Sequence, residues 1–395
     1  MLKRYNCQCG NPIFFRNSSC LACKAQLGYD SELGLLVSVK PAQLEGTWER
    51  YDSANQNPHE QDKSYESNET HKPAKPDGSQ HPQAEKYYRR CANLPTTAAC
   101  NWLIQATEPL STTLCKACSL NRTIPDLSVD AHPLNSIYWG RVELAKRRML
   151  AGVLGLGLRV VSKQQDPENG LAFDLVSDQP GTSAVLTGHD SGLITLNLQE
   201  ADDAARESIR SAMHEPYRTL LGHFRHEIGH YFWNALIKSS TWLDGYRQLF
   251  GDESQDYTAS LQKNYSFGPP DNWQLNYISS YASTHPWEDW AETWAHYLHM
   301  RDTLDTAVSF GLTVDASLLE FTPFTTDALR FPHETTATSF LTFLNEWTGL
   351  TVLLNEMSRT MGQPDFYPFA LPVPAVAKLH FVHAVIESTR HSPRG

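Results

Sequence analysis

The residues best suited to chemistry are His226-Glu227-Ile228-Gly229-His230. On a helix, two histidines four positions apart leave the same face, one turn from each other. Glu227 is offset by one position, so it aims beside a bound ion rather than at it. Two neutral nitrogen ligands, an open coordination position and a carboxylate base are what metal-assisted hydrolysis needs. Ile228 and Gly229 carry no charge and do not compete for the ion.

A third ligand must come from elsewhere, and Tyr277–Met300 offers one. Glu288 and Glu292 are four apart on one helical face, among Trp287, Trp290 and Trp294. Such aromatic company is unlike a solvated helix face. Glu288 completes a His, His, Glu set with water in the fourth position. Glu292, a turn further on, can accept a hydrogen bond from a ligating imidazole and fix its tautomer. Asp289 points about 100° away from Glu288 and competes poorly as a ligand. The metzincin alternative needs a histidine six residues past His230, where the sequence has Leu236. Tyr281, seven residues before Glu288, could donate to the oxyanion that forms on an attacked carbonyl, and so could His285; for both, a structural role competes.

The eight cysteines lie in the first 118 residues, in two groups of four: Cys7, Cys9, Cys20 and Cys23, then Cys91, Cys100, Cys115 and Cys118. Cys20-x-x-Cys23 and Cys115-x-x-Cys118 each aim two thiolates at one ion, and a further pair closes a four-cysteine zinc site. Metal binding also explains how segments with so little apolar surface fold. Cys7-x-Cys9 is a tighter pair than usual, and interleaving between the groups stays open.

The elements that must position these residues follow from periodicity. Leu220, Leu221, Phe224, Ile228, Phe232 and Leu236 recur every three to four positions, the period of a buried helix over 217–238 with Pro216 at its start. Pro286 suits the start of the second site helix. Ahead of them, Tyr138–Leu156 reads as an amphipathic helix, with Lys146-Arg147-Arg148 on its solvated face. Short β-like runs follow at Leu158–Ser162, Leu171–Val176, and Ala184–Thr187 joined through Gly188–Gly192 to Leu193–Leu198 as a hairpin. An edge strand there could pair with an extended peptide. Phe250–Gly268 reads as a loop-rich insert with a short helix. Thr303–Gly395 alternates apolar helices, Ser339–Leu354 the clearest, with proline-rich loops. Asp52–Lys86 contains no Leu, Ile, Val or Phe and reads as a flexible polar linker.

With 395 residues, 41% of them hydrophobic, the chain can bury a full core in two or three domains. A formal charge of −11 argues against a general nucleic-acid or membrane-surface binder. No apolar leader or membrane-length run is visible, so a cytoplasmic protein is expected, where cysteines serve metals rather than disulfides. The expected organisation is a zinc ribbon at 1–50, a linker at 51–86, a second four-cysteine zinc-binding segment at 87–130 and an α+β hydrolase domain at 131–395. That last domain combines a small sheet and two site helices with a mostly helical C-terminal part.

Over nearly its whole length the chain resembles a bacterial family of zinc-binding metallopeptidases with an N-terminal zinc ribbon. The resemblance rests on CQCGNPIFFRNSSCLACKAQLGY, YRRCANL, CNWL, CKACSLNRTIPDLS, HFRHEIGHYFW and YASTHPWEDWAETWAHYLH. The pair HExxH and ExxAE is similar to the gluzincin pattern, within the zincin-like fold. It implies His226, His230 and Glu288 as ligands of a catalytic zinc, Glu227 as base and Tyr281 as electrophile. The expected activity is zinc-dependent hydrolysis of peptide bonds in a peptide or protein substrate. Two other functions compete. One is a regulatory protease, SprT-like or ImmA/IrrE-like, that its ribbons recruit to nucleic acid or a protein partner. The other is a non-catalytic, zinc-stabilised interaction protein.

Overall fold

The computed structural model describes residues 4–51, 87–128, 132–178, 187–212, 218–314, 322–331 and 333–391. The expected linker Asp52–Lys86 lies outside them, as do Pro216 and most of the expected strand Ala184–Thr187. The architecture is α+β, in two compact units that part between Ser119 and Leu120.

In the N-terminal unit a small hairpin, β1 (Tyr5–Asn6) and β2 (Pro12–Ile13), precedes a five-stranded antiparallel sheet. Its strands are β3 (Gln26–Asp30), β4 (Leu35–Pro41), β5 (Trp48–Arg50), β6 (Tyr87–Arg90) and β7 (Leu103–Gln105), in sequential order. Strands from both cysteine segments share this sheet: Trp48 pairs with Tyr88 and Glu49 with Tyr87. Val37, Val39, Tyr88 and Leu103 form its buried cluster, with Leu35 and Trp48 packed against them. Gly28 is required here, because a Cβ would lie 2.4 Å from the Leu103 side chain. Polar ties also bridge the segments: the Tyr88 hydroxyl donates to Asp30 (2.8 Å), and the Asn101 amide donates to the Phe15 and Asn17 carbonyls.

The first strand of the second unit is β8 (Asn121–Thr123). β8 pairs in parallel with β9 (Ala172–Val176), and β9 in parallel with β11 (Leu193–Asn197). At the edge, β10 (Gly188–Asp190) runs antiparallel to β11. The hairpin is present, but residues 188–190, read from sequence as loop, are themselves the strand. Only Ser191-Gly192 makes the turn, and both residues have positive φ. Leu158–Ser162 is reduced to one bridge, between Ser162 and Leu171.

Helices α1 (Asn135–Gly155), α2 (Asp203–Ala212) and α3 (Leu220–Leu236) flank this sheet. Phe173 of β9 meets Phe224 of α3 edge to face at 5.7 Å. Thr219 caps α3 by accepting from the Gly222 N–H (2.9 Å). After α4 (Leu243–Phe250) and α5 (Tyr257–Phe267) comes α6 (Pro286–Ser309), which packs closely along α3, and then α7 (Ala337–Thr360) and α8 (Val373–His391). Trp290 Nε1 donates to the Gly229 carbonyl (2.9 Å), and a Cβ on Gly229 would sit 3.1 Å from Ala291 Cα. Glycine thus lets the two helices approach at the level of the histidines.

One surface assignment is corrected. Lys146 and Arg147 of α1 are buried rather than solvated; Arg148 alone of the three is exposed. Lys146 Nζ lies 2.7 Å from the buried Glu143 carboxylate and also donates to Asn121, while Arg147 approaches Glu143 from one position further on. Spacings of i+3 and i+4 read the same for a solvated ion pair and for one tucked beneath a sheet. Only the packing of β8 and β9 decides between them.

Candidate metal centres

α3 and α6 bring His226, His230 and Glu288 together, with one potential ligand atom from each within 4.8 Å of the others. Glu288 Oε2 lies 2.9 Å from His226 Nε2 and 3.5 Å from His230 Nε2. That oxygen is buried and has no hydrogen-bond partner among the described residues. Two imidazole nitrogens and a bare carboxylate oxygen facing one point suit a divalent cation, so the donor set fits zinc. Burial opposes ionisation of Glu288, yet the His230 and His226 imidazoles hold its carboxyl well below the usual range.

His226 is oriented from behind. His226 Nδ1 lies 2.7 Å from Glu292 Oε1, and Glu292 Oε2 accepts from the Ser279 hydroxyl (2.5 Å). With Nδ1–H donating to Glu292, the Nε2 lone pair is left facing the site. Burial would raise the Glu292 carboxyl, but the hydrogen bond and charge of His226, with His296 and Ser279, together outweigh it and lower it to about 2. Trp287 covers the His230 ring, with centroids 3.9 Å apart.

Glu227, one position after His226, is buried. Its charge, with that of Glu288, helps raise the phenols of Tyr257 and Tyr281 after burial has done most of the work, so both tyrosines lie in the field of the two carboxylates. Tyr281 lies beside His226, ring centroids 5.9 Å apart. His285 is instead the cap of α6: its Nδ1 accepts from the Trp287 N–H (3.1 Å). Asp289 faces away from the site and pairs with Lys378 of α8 at 2.6 Å.

Three neighbours escaped the sequence reading. The Tyr257 hydroxyl donates to Glu288 Oε1 (2.6 Å), Ser279 supports Glu292, and His189 of β10 sits 5.8 Å from the His230 ring. Burial above all lowers His189 to about 3. None of them carries a spacing signal. Tyr257 lies in the insert, and a single histidine in a short strand has no partner in sequence.

A family model described as "Putative zinc-binding metallo-peptidase" matches residues 135–385. The chain belongs to that family. The metallopeptidase match begins at α1 and takes in the sheet hairpin, both site helices and most of α8. A zinc-ribbon model matches residues 4–72 and again 67–129. Uncharacterized proteins of Mycobacterium bovis and of two Mycobacterium tuberculosis strains are each 38% identical over 389 residues, covering 98% of this chain and 96% of theirs. No solved structure matches significantly.

In the zinc-ribbon region none of the eight cysteines forms a disulfide. They gather as Cys7, Cys9, Cys20, Cys23 and as Cys91, Cys100, Cys115, Cys118, without interleaving between the groups. In the first group the Cys7–Cys23 sulfurs are 3.5 Å apart and the Cys9–Cys20 sulfurs 3.8 Å. The Cys23 N–H holds the Cys20 thiol down at about 6, against burial, favouring the thiolate a metal needs. Cys9 and Cys23 are exposed, whereas all four of the second group are buried. Four sulfurs crowded without a disulfide suit a tetrahedral thiophilic ion, so both groups fit zinc. Among the described residues no helix is long and apolar enough to cross a membrane.

Proposed function

We propose that the chain is a zinc-dependent peptidase that hydrolyses peptide bonds at the residue cluster between α3 and α6. The observation that carries this reading is the convergence of His226 Nε2, His230 Nε2 and Glu288 Oε2, with the buried Glu227 next to His226 on the same helix. In it, His226, His230 and Glu288 hold the catalytic zinc, and the two cysteine groups hold structural zinc ions. When bound, zinc supplies Lewis acidity, polarising the scissile carbonyl and acidifying water at the site. Glu227 takes the proton from the attacking water and returns it to the departing amine. Tyr281 donates to the oxyanion that develops as the carbonyl is attacked. Glu292, itself held by Ser279, keeps the His226 ring in one tautomer. The edge strand β10 lies beside His230 through His189, which supports docking of an extended substrate by added strand pairing.

The test is zinc content of the purified protein beside a His226→Ala/His230→Ala variant. The reading expects a fall from about three ions to about two, one per occupied ligand cluster. An unchanged count would remove the catalytic zinc site and with it the peptidase assignment.

A further inference from the structure

Glu288 has two carboxylate oxygens with different neighbours. Oε2 faces both imidazoles, and Oε1 accepts from the Tyr257 hydroxyl at 2.6 Å. Both oxygens could in principle turn toward an ion, and a carboxylate that did so would fill the position a substrate needs. Tyr257 is the first residue of α5, with Asp256 capping the helix by accepting from the Ala259 N–H (3.0 Å). No residue of α5 is buried, and Tyr265 and Phe267 further along are well exposed. The Tyr257 hydroxyl reaches the carboxylate, and its ring stands edge-on to His285 (5.3 Å) and Trp287 (5.7 Å). His285 is the cap of α6 and Trp287 covers His230, so the phenol is wedged between the start of one site helix and the shield over a ligand.

On this geometry, and resting on the zinc reading above, we infer that Tyr257 is a positioning residue. Its hydroxyl engages Oε1 of Glu288, so that the carboxylate offers the metal one oxygen and leaves a coordination position open. It acts through Glu288 rather than on substrate. The hydrogen bond also turns the side chain so that Oε2 points where His226 and His230 point, a preorganisation that a lone buried glutamate would lack.

The experiment compares Tyr257→Phe with Tyr265→Phe, which removes the same hydroxyl from an exposed position of the same helix. Zinc affinity of the helix site is read by competition with a chromophoric chelator. The inference expects Tyr257→Phe to bind zinc about 10–100-fold more weakly, the usual effect of removing a group that orients a metal ligand. Tyr265→Phe should stay within about twofold, and the cysteine sites of both variants should keep their zinc. Cobalt exchanged into the helix site gives a second readout. Freeing Oε1 should weaken its visible band as coordination rises, a change that a general loosening of α5 would not produce. Parent-like zinc affinity and an unchanged cobalt band in Tyr257→Phe overturn the inference. If His226→Ala/His230→Ala still removes one zinc, only the role of Tyr257 falls; if it removes none, the zinc reading falls as well.

Discussion

Glu292 accepts a hydrogen bond from His226 at 2.7 Å while its other oxygen holds the Ser279 hydroxyl, so one carboxylate ties His226 of α3 to the segment that leads into α6. Glu292→Gln keeps the shape but can present its amide N–H to Nδ1, which favours the wrong tautomer. The expected outcome is a 10–100-fold loss of zinc affinity, with Ser279→Ala losing less. Chelator competition at fixed pH measures both.

Glu227→Gln removes the proposed base without removing a ligand. It should retain the parent zinc content and lower kcat by about 10²–10⁴-fold. Full turnover of a fluorogenic peptide or unfolded casein by that variant would sink the assignment of Glu227.

Tyr281→Phe should also keep zinc, since Tyr281 touches the site through the flank of His226 rather than through Glu288. Loss of an oxyanion donor lowers kcat by about 10²–10³-fold and leaves KM nearly unchanged. A raised KM with unchanged kcat would assign Tyr281 to substrate binding instead.

Lys378 and Asp289 form a buried pair that links α8 to α6 behind the site. Burial pushes Asp289 up to about 7 even with Lys378 pulling it back. Lys378→Met leaves that carboxylate alone in the interior and should cost about 3–5 kcal/mol, while Asp289→Asn/Lys378→Met should recover most of the loss. Urea midpoints of the two variants give the comparison.

His383 is buried beneath Tyr297, whose hydroxyl lies 2.8 Å from its Nδ1, and burial lowers the imidazole to about 3. Between the ordinary histidine value, about 6.5, and 3, the unfolded chain binds a proton that the folded one does not. Stability is therefore present above pH 6.5 and drains away on acidification, by about 1.4 kcal/mol per pH unit from this residue. Urea unfolding of parent and His383→Phe from pH 7 to 4.5 should show a shallower acid slope in the variant.

The sequence was most legible where local rules decide. His226, His230 and Glu288 sit on helices whose apolar period and Pro286 start can be read directly, and helix geometry then places both glutamates on one face. The cysteine groups were legible because ligand spacing is a local property. What escaped depends on distant packing. Tyr257 reaches Glu288 from an exposed helix across 31 positions, and the buried Lys146 meets Asn121 of β8 and the Phe173 ring of β9. Residues 188–190 carry glycine, histidine and aspartate, poor strand formers, and become a strand because β11 offers them a partner.

The pairing of β5 with β6 has a consequence for how this protein can vary. The chain leaves the sheet after Arg50 and returns at Tyr87, with Glu49 already paired to Tyr87. Departure and return are thus neighbours, and residues 52–86 need span almost no distance. Closing a longer or shorter loop between fixed ends changes free energy only logarithmically, about 0.6 kcal/mol per doubling. That stretch is therefore a port at which length can drift, or a foreign sequence be grafted, while the sheet and both cysteine clusters stay as they are.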